Sequence, residues 1–392
     1  MTSTNRRFHG LNALIATVFF VMSLLSMSAW TAPMIPAPPT LAAKSWLLLD
    51  AKTGHIITEY NADQRLPPAS LTKMMTTYIA SEQLATGNIG YDDMVRVSEK
   101  AWRKGGSKMY IREGTEVKLE DLLRGVIIQS GNDASIALAE YIAGSEDAFA
   151  DLMNQTAFSL GMTNSHFMNA TGWPADNHYT TARDLSLLAR ATINDHPEDY
   201  SIYSEKEFTY NDIRQPNRNS LLWQDDAVDG IKTGHTEEAG YCLVASAEKD
   251  NMRLISVVMG TRSEKERAAE SQKLITYGFR FYETVEKYSA KKELIEPEIW
   301  KGDNKQIKLG TEEDIWLTVP RGTADEIQTD LEFPELLMAP IAEGEKVGTI
   351  RLTLNGDTIA TKPLIALESV EEGGIFKRLW HWLLLMIKGL FS

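Results

Sequence analysis

The sequence predicts an α+β protein: helices around an antiparallel sheet, then a small all-β domain and a C-terminal amphipathic helix. Three observations carry this. Strand-like runs near residues 45–60 and 230–259 bracket a long stretch of helical periodicity from Ser70 to about Ile193, so one sheet can draw strands from both ends of a helical segment. After about Lys291 short β-rich runs alternate with turn clusters. The last eighteen residues, 375–392, repeat apolar side chains at helical spacing around one narrow polar stripe.

Taken in order, the chain begins with Arg6-Arg7, an apolar run from about Leu11 to Leu25, and small residues Ser26, Ser28 and Ala29. That is the pattern of a secretory signal over residues 1–29, with cleavage between about 28 and 32, and it marks an exported chain; an uncleaved anchor is the alternative. Pro33 to Thr40 is a proline-rich leader. Ser45–Asp50 and His55–Tyr60 read as a strand pair joined at Ala51-Lys52-Thr53-Gly54. Helices follow from Ser70, at Leu119 to Ile128, Asp133 to Ile142 and Ala148 to Leu160, with loops at Gly105-Gly106 and Gly172-Trp173-Pro174. Strand character returns at Gly230 to Lys232, Gly240 to Ala247 and Arg253 to Met259, before a helix from about Glu264 to Tyr282. These runs define a catalytic domain over 41–290, a β-rich domain over 291–370 with a hairpin turning at Asn355-Gly356-Asp357, and a terminal helix over 373–392.

In that helix Lys377, His381, Lys388 and Ser392 share one stripe, and Trp380, Trp382, Leu383 to Ile387, Leu390 and Phe391 cover the rest. Eighteen residues at ~1.5 Å each reach about 27 Å, short of a full span. Tryptophans, cations and a polar stripe favour lying in a membrane interface over packing on the body of the protein.

Composition excludes several functions. The net charge of −14 over 392 residues argues against nucleic acid. A single cysteine, Cys242, excludes an internal disulfide and a multi-cysteine metal site, and its apolar surroundings read as a buried strand. The seven histidines show no H-E-x-x-H spacing, so no metal or other cofactor is expected, and no G-x-S-x-G elbow is present.

The chemistry lies in three short motifs. Ser70-Leu71-Thr72-Lys73 puts a hydroxyl and an amine three residues apart at a helix start, where they are neighbours. Serine becomes a nucleophile when a base takes its proton, and a desolvated lysine can be that base. Ser130-Gly131-Asn132 adds a second hydroxyl and an amide on a loop between helices. Lys232-Thr233-Gly234 adds a cation and a hydroxyl at the start of a strand, suited to a carboxylate, with Gly234 letting substrate backbone approach the strand edge. Each motif alone is weak: Ser289-Ala290-Lys291-Lys292 repeats the first and Lys52-Thr53-Gly54 the last. Only the set 70, 130, 232 falls in the order S-x-x-K, S-x-N, K-T-G, which with S-D-N in the middle is the signature of penicillin-binding proteins and class A β-lactamases.

With these residues in place the chain resembles the low-molecular-mass penicillin-binding proteins, serine-type D-alanyl-D-alanine carboxypeptidases of the penicillin-binding protein 5/6 type. "PASLTKMM", "QSGNDAS", "DYSIYSEKEFTYN", "VDGIKTGHT", "AGYCLVASA" and "RLISVVMG" carry the likeness nearly end to end. The resemblance implies a β-lactamase/transpeptidase-like catalytic fold. It implies that Ser70 attacks the carbonyl between two terminal D-alanines of a peptidoglycan pentapeptide stem, with Lys73 as base, Ser130 as proton relay and Asn132 holding substrate backbone. Lys232, Thr233 and Arg267 would bind the terminal carboxylate; Gly234 lies on the same strand, and the backbone N–H groups of Ser70 and His235 would form the oxyanion hole. Burial and the charge of Lys232 should lower the Lys73 pKa. β-Lactams would acylate the same serine. The resemblance further implies a periplasmic enzyme attached through residues 375–392 to the outer face of the inner membrane. The loop "WRKGGSKMY" from Trp102 to Tyr110 looks shorter than in the best-known members.

Rival readings differ in testable ways. A class A β-lactamase deacylates with a glutamate-activated water, and His166 to Asp184 contains no glutamate. The amphipathic tail and the lack of a large domain before Ser70 favour the carboxypeptidase over a transpeptidase. A non-catalytic envelope scaffold would have no need of Ser70, Lys73, Ser130 and Lys232 together.

Overall fold

The computed structural model describes residues 35–391, with side chains described up to Met386; the secretory signal expected at 1–29 lies outside the described residues. Strands β1 (Ser45–Asp50) and β2 (Ile56–Tyr60) form the predicted hairpin, and β3 (Val228–Thr236), β4 (Gly240–Lys249) and β5 (Met252–Thr261) form the meander at the other end of the domain. The sheet order is β2-β1-β5-β4-β3, and every pairing is antiparallel. β1 is buried along its whole length, as its run Trp46-Leu47-Leu48-Leu49 demands of a strand covered on both faces. β3 lies at the sheet edge, with one side open for an extended ligand.

Helix α1 (Lys73–Ala85) is central: its first nine residues are buried, and Met74, Met75 and Ile79 join Leu47, Phe149, Leu185 and Val257 in the main core. Hydrophobic burial of this kind contributes roughly 1.5–3 kcal/mol per large side chain, enough to hold polar groups in an otherwise dry centre. Helix α2 (Asn132–Ala143) packs in a second cluster with Leu119, Leu122 and Val126. Helix α3 (Glu264–Phe281) covers β4 and β5, capped by the Ser263 hydroxyl, which accepts from the Glu266 N–H.

The helix expected from Ser70 begins three residues later. Residues Ala69–Thr72 form a 3₁₀ turn, and α1 starts at Lys73. Pro67 and Pro68 preset the entry, and Ala69 takes a positive φ of 48°, so the chain arrives too tightly wound for an α-turn.

The strand Tyr282–Tyr288 runs straight on from α3 and pairs antiparallel with Ile315–Pro320. The β-rich region has its own core of Ile299, Leu309, Leu317, Ile350, Leu352 and Leu364. Asp50 ties it to the catalytic domain. Its fully buried carboxylate accepts the Lys52 N–H at 2.8 Å, the Thr318 hydroxyl at 2.8 Å and the Thr284 hydroxyl, and the Lys52 ammonium lies over the Trp316 ring.

The terminal segment forms helix α4 (Ile375–Phe391). Its polar stripe turns onto the β-rich domain. Lys377 Nζ donates to Asp303 O at 2.9 Å, and His381 Nδ1 accepts the Lys301 N–H at 2.8 Å with its ring edge-on to Trp300. Phe376, Leu379, Trp380 and Trp382 stay more than half exposed. No helix among the described residues is long and apolar enough to cross a membrane.

Candidate active site

Ser70 sits on the 3₁₀ turn and Lys73 at the first position of α1, and Lys73 Nζ lies 2.9 Å from Ser70 Oγ. The amine also contacts Asn132 Oδ1 at 2.8 Å and the Thr171 carbonyl at 2.7 Å. Asn132 opens α2 and donates from Nδ2 to Gly105 O at 2.8 Å, which fixes which face of its amide meets Lys73.

Lys73 is fully buried, and its pKa falls to about 7. Burial is the main cause, followed by the charge of Arg218, then the opposing charge of Asp133 and the smaller push of Lys104. Lys232 repels Lys73 in turn, and burial, then Lys73, Arg218 and Arg267, hold Lys232 well below the ordinary lysine range. Two buried cations cannot share a dry site, and here both amines give up affinity for a proton.

Ser130 takes a positive φ of 64° at the end of the loop before α2, and its buried hydroxyl has no hydrogen-bond partner. A buried unpaired hydroxyl marks a group kept in reserve for something that binds. Lys232 and Thr233 lie 3% and 5% exposed on edge strand β3. Arg267, on α3, reaches the same strand: Nη1 lies 3.4 Å from Gly234 O, Nη2 lies 3.6 Å from Glu264 Oε1, and the residue is 5% exposed. His235 is exposed, with its ring stacked on Tyr241 at 3.9 Å.

Gly234 has a different reason from the one expected. A Cβ there would come within 3.1 Å of Pro68 O and Leu71 Cγ. Its missing side chain lets β3 press against the serine-bearing turn, which brings the strand edge to the nucleophile.

Sequence reasoning missed four groups. Thr171 acts through a backbone carbonyl, which leaves no signature in a sequence. Arg218 sits in a loop, donating from Nε to Gln129 O at 3.1 Å. Asp133, fully buried, accepts the N–H groups of Met109, Tyr110 and Ile111 and so anchors the end of the 102–110 loop; its place beside the S-G-N motif was the available clue. Trp173 stands over that loop with Lys104 Nζ 4.5 Å from its ring centre. Together Ser70, Asn132, Trp173, His235, Thr236 and Glu237 line a cleft of about 620 Å³. Cys242 is a fully buried strand residue whose thiol burial pushes up to about 11. Among the described residues no group of side chains could hold a metal ion.

A family model described as D-alanyl-D-alanine carboxypeptidase matches residues 32–263, and one described as penicillin-binding protein 5, C-terminal domain, matches residues 282–372. The chain belongs to the D-alanyl-D-alanine carboxypeptidase family. Two Escherichia coli relatives, the D-alanyl-D-alanine carboxypeptidases DacC and DacA, are 44% and 46% identical; the alignments cover 98% and 92% of this chain and 97% and 91% of theirs. The solved penicillin-binding protein 5 of Haemophilus influenzae superposes with a TM-score of 0.83 at 44% identity, over 86% of this chain and all of that one. The α+β catalytic fold followed by an all-β domain is thus the family's own.

Proposed function

We propose that the protein is a serine-type D-alanyl-D-alanine carboxypeptidase that removes the terminal D-alanine from peptidoglycan pentapeptide stems and is acylated by penicillin. The observation that carries this is a buried amine, with pKa near neutrality, 2.9 Å from a serine hydroxyl. Neutral Lys73 takes the Ser70 proton as Oγ attacks the carbonyl between the two D-alanines. The N–H groups of Ser70 and His235 hold the oxyanion. Ser130 passes a proton to the departing D-alanine nitrogen, and Asn132 holds the substrate backbone. The terminal carboxylate lies against Lys232, Thr233 and Arg267. Its negative charge favours the ammonium form of Lys232. Water then cleaves the acyl-enzyme.

A β-lactam acylates Ser70 by the same attack, but its leaving nitrogen stays tethered. The segment 166–184 contains no glutamate to activate water for its release as in a class A β-lactamase. The reaction belongs to the periplasm, with α4 lying in the outer surface of the inner membrane. Its exposed Phe376, Leu379, Trp380 and Trp382 support that attachment.

Intact mass after brief exposure to penicillin, followed for an hour beside Ser70→Ala, tests the reading. A stoichiometric adduct that decays slowly and is missing in the alanine variant is expected. Rapid drug turnover without a lasting adduct would instead indicate a β-lactamase, and a folded chain that is never acylated would indicate a scaffold.

A further inference from the structure

Lys73 Nζ has three oxygen neighbours, and two of them can only accept. Thr171 O is a carbonyl, and Asn132 Oδ1 is fixed as the acceptor end of its amide because Nδ2 donates to Gly105 O. A neutral amine has two N–H bonds and one lone pair. When Asn132 and Thr171 engage both N–H bonds, the lone pair faces the third neighbour, Ser70 Oγ, whose proton it has to take. The aim of the base therefore depends on a backbone carbonyl in a loop.

That carbonyl is held from behind by one side chain. Asn169 Oδ1 accepts from Gly172 N at 2.9 Å, from Thr171 N at 3.1 Å, from Thr171 Oγ1 at 2.8 Å and from Trp173 N at 3.1 Å. Its Nδ2 donates to Trp173 O at 2.9 Å. The Gly172 N–H and the Thr171 C=O belong to one peptide unit, which is planar, and in its trans form they point in opposite directions. Gripping the N–H on one side directs the carbonyl at Lys73 on the other. Gly172 has to be glycine for the plane to sit there: its φ is +80°, and a Cβ would lie 1.7 Å from Ala69 O.

We propose that Asn169 is a positioning residue for acylation, aiming the Lys73 lone pair at Ser70 through the Thr171–Gly172 peptide plane. The inference rests on the reading of Lys73 as the base.

The test uses the full chain, Asn169→Ala and Asn169→Asp, with penicillin acylation followed by stopped flow over a range of drug concentrations, from about pH 5 to about pH 9. Asn169→Ala is expected to lose roughly 100-fold in the acylation rate constant, the scale of a misaimed catalytic group, with a much smaller change in the binding constant that precedes it. Asn169→Asp keeps an acceptor for the three N–H groups and recovers most of the rate. Its added negative charge favours the ammonium form of Lys73, so the acid limb of its rate profile moves to higher pH. If circular dichroism shows that the alanine variant does not fold, the aspartate variant decides alone, and an unmoved acid limb overturns the proposal. Alanine and parent rates within about threefold, or a loss confined to binding, overturn it as well. A parent chain that penicillin does not acylate would overturn the wider reading instead.

Discussion

Lys73 enters the site with none of its surface exposed, and a lysine cut off from water holds its proton weakly. With a pKa of about 7, it is an ammonium at low pH and a free base above neutrality. The rate of penicillin acylation should therefore rise about tenfold per unit below pH 7 and level off roughly a unit above it. Rate constants measured across that range, with burst size as a check on folding, decide the matter; a flat profile would remove Lys73 from the role of base. The same shift bears on stability. The folded state binds fewer protons than the unfolded chain between about pH 7 and the ordinary lysine value near 10.4, so this residue's contribution improves as pH rises through that window and is at its worst below it. The buried Lys73 amine is thus a destabilising feature that the surrounding apolar core offsets.

At the scale of elements, the site forms where three pieces of chain meet closely at two glycines. The 3₁₀ turn carrying Ser70 touches β3 at Gly234 and the 169–173 loop at Gly172. Gly172→Ala would place a methyl against the Ala69 carbonyl in a backbone conformation unfavourable to alanine. It is expected to destabilise the protein by roughly 3 kcal/mol and to slow acylation even at temperatures where the variant is folded. Thermal unfolding and acylation rate on one sample check both. A variant as stable and as fast as the parent would mean that the loop can back away from the turn, and that its position does not matter to Ser70.

For the whole molecule, the question is how the catalytic domain and the tail relate to the β-rich domain. Asp50 pins the catalytic domain to the β-rich domain through the hydroxyls of Thr284 and Thr318, which lie on two paired strands. The tail helix joins the same β-rich domain through Lys377 and His381, turning its apolar side outward. Removing residues 375–392 should abolish co-sedimentation with anionic lipid vesicles while leaving penicillin acylation of the soluble form unchanged, because Lys377 and His381 hold the tail on the β-rich domain at Asp303 and Lys301. If the truncated chain still pellets with vesicles, another surface makes the attachment.

Much of this was legible in the linear order of residues. Ser70 and Lys73 are local neighbours whatever the helix type, and the order of the three motifs separated them from Ser289-Ala290-Lys291 and Lys52-Thr53-Gly54. Alternation and periodicity marked the strands and helices because burial of one face imposes a repeat. The amphipathic tail was visible for the same reason. Other features have no counterpart in the order of residues. The 3₁₀ start needed the strained Ala69, and although the lysine's loss of proton affinity was expected, the share that comes from Arg218 needed the fold to bring that distant loop residue close. The surface onto which the tail's polar stripe turned was decided by a loop at residues 301–304. Above all, the third contact of Lys73 is a main-chain carbonyl, identical in every residue type. Sequence can name the side chains that do chemistry; only the folded chain determines which peptide planes are turned to face them.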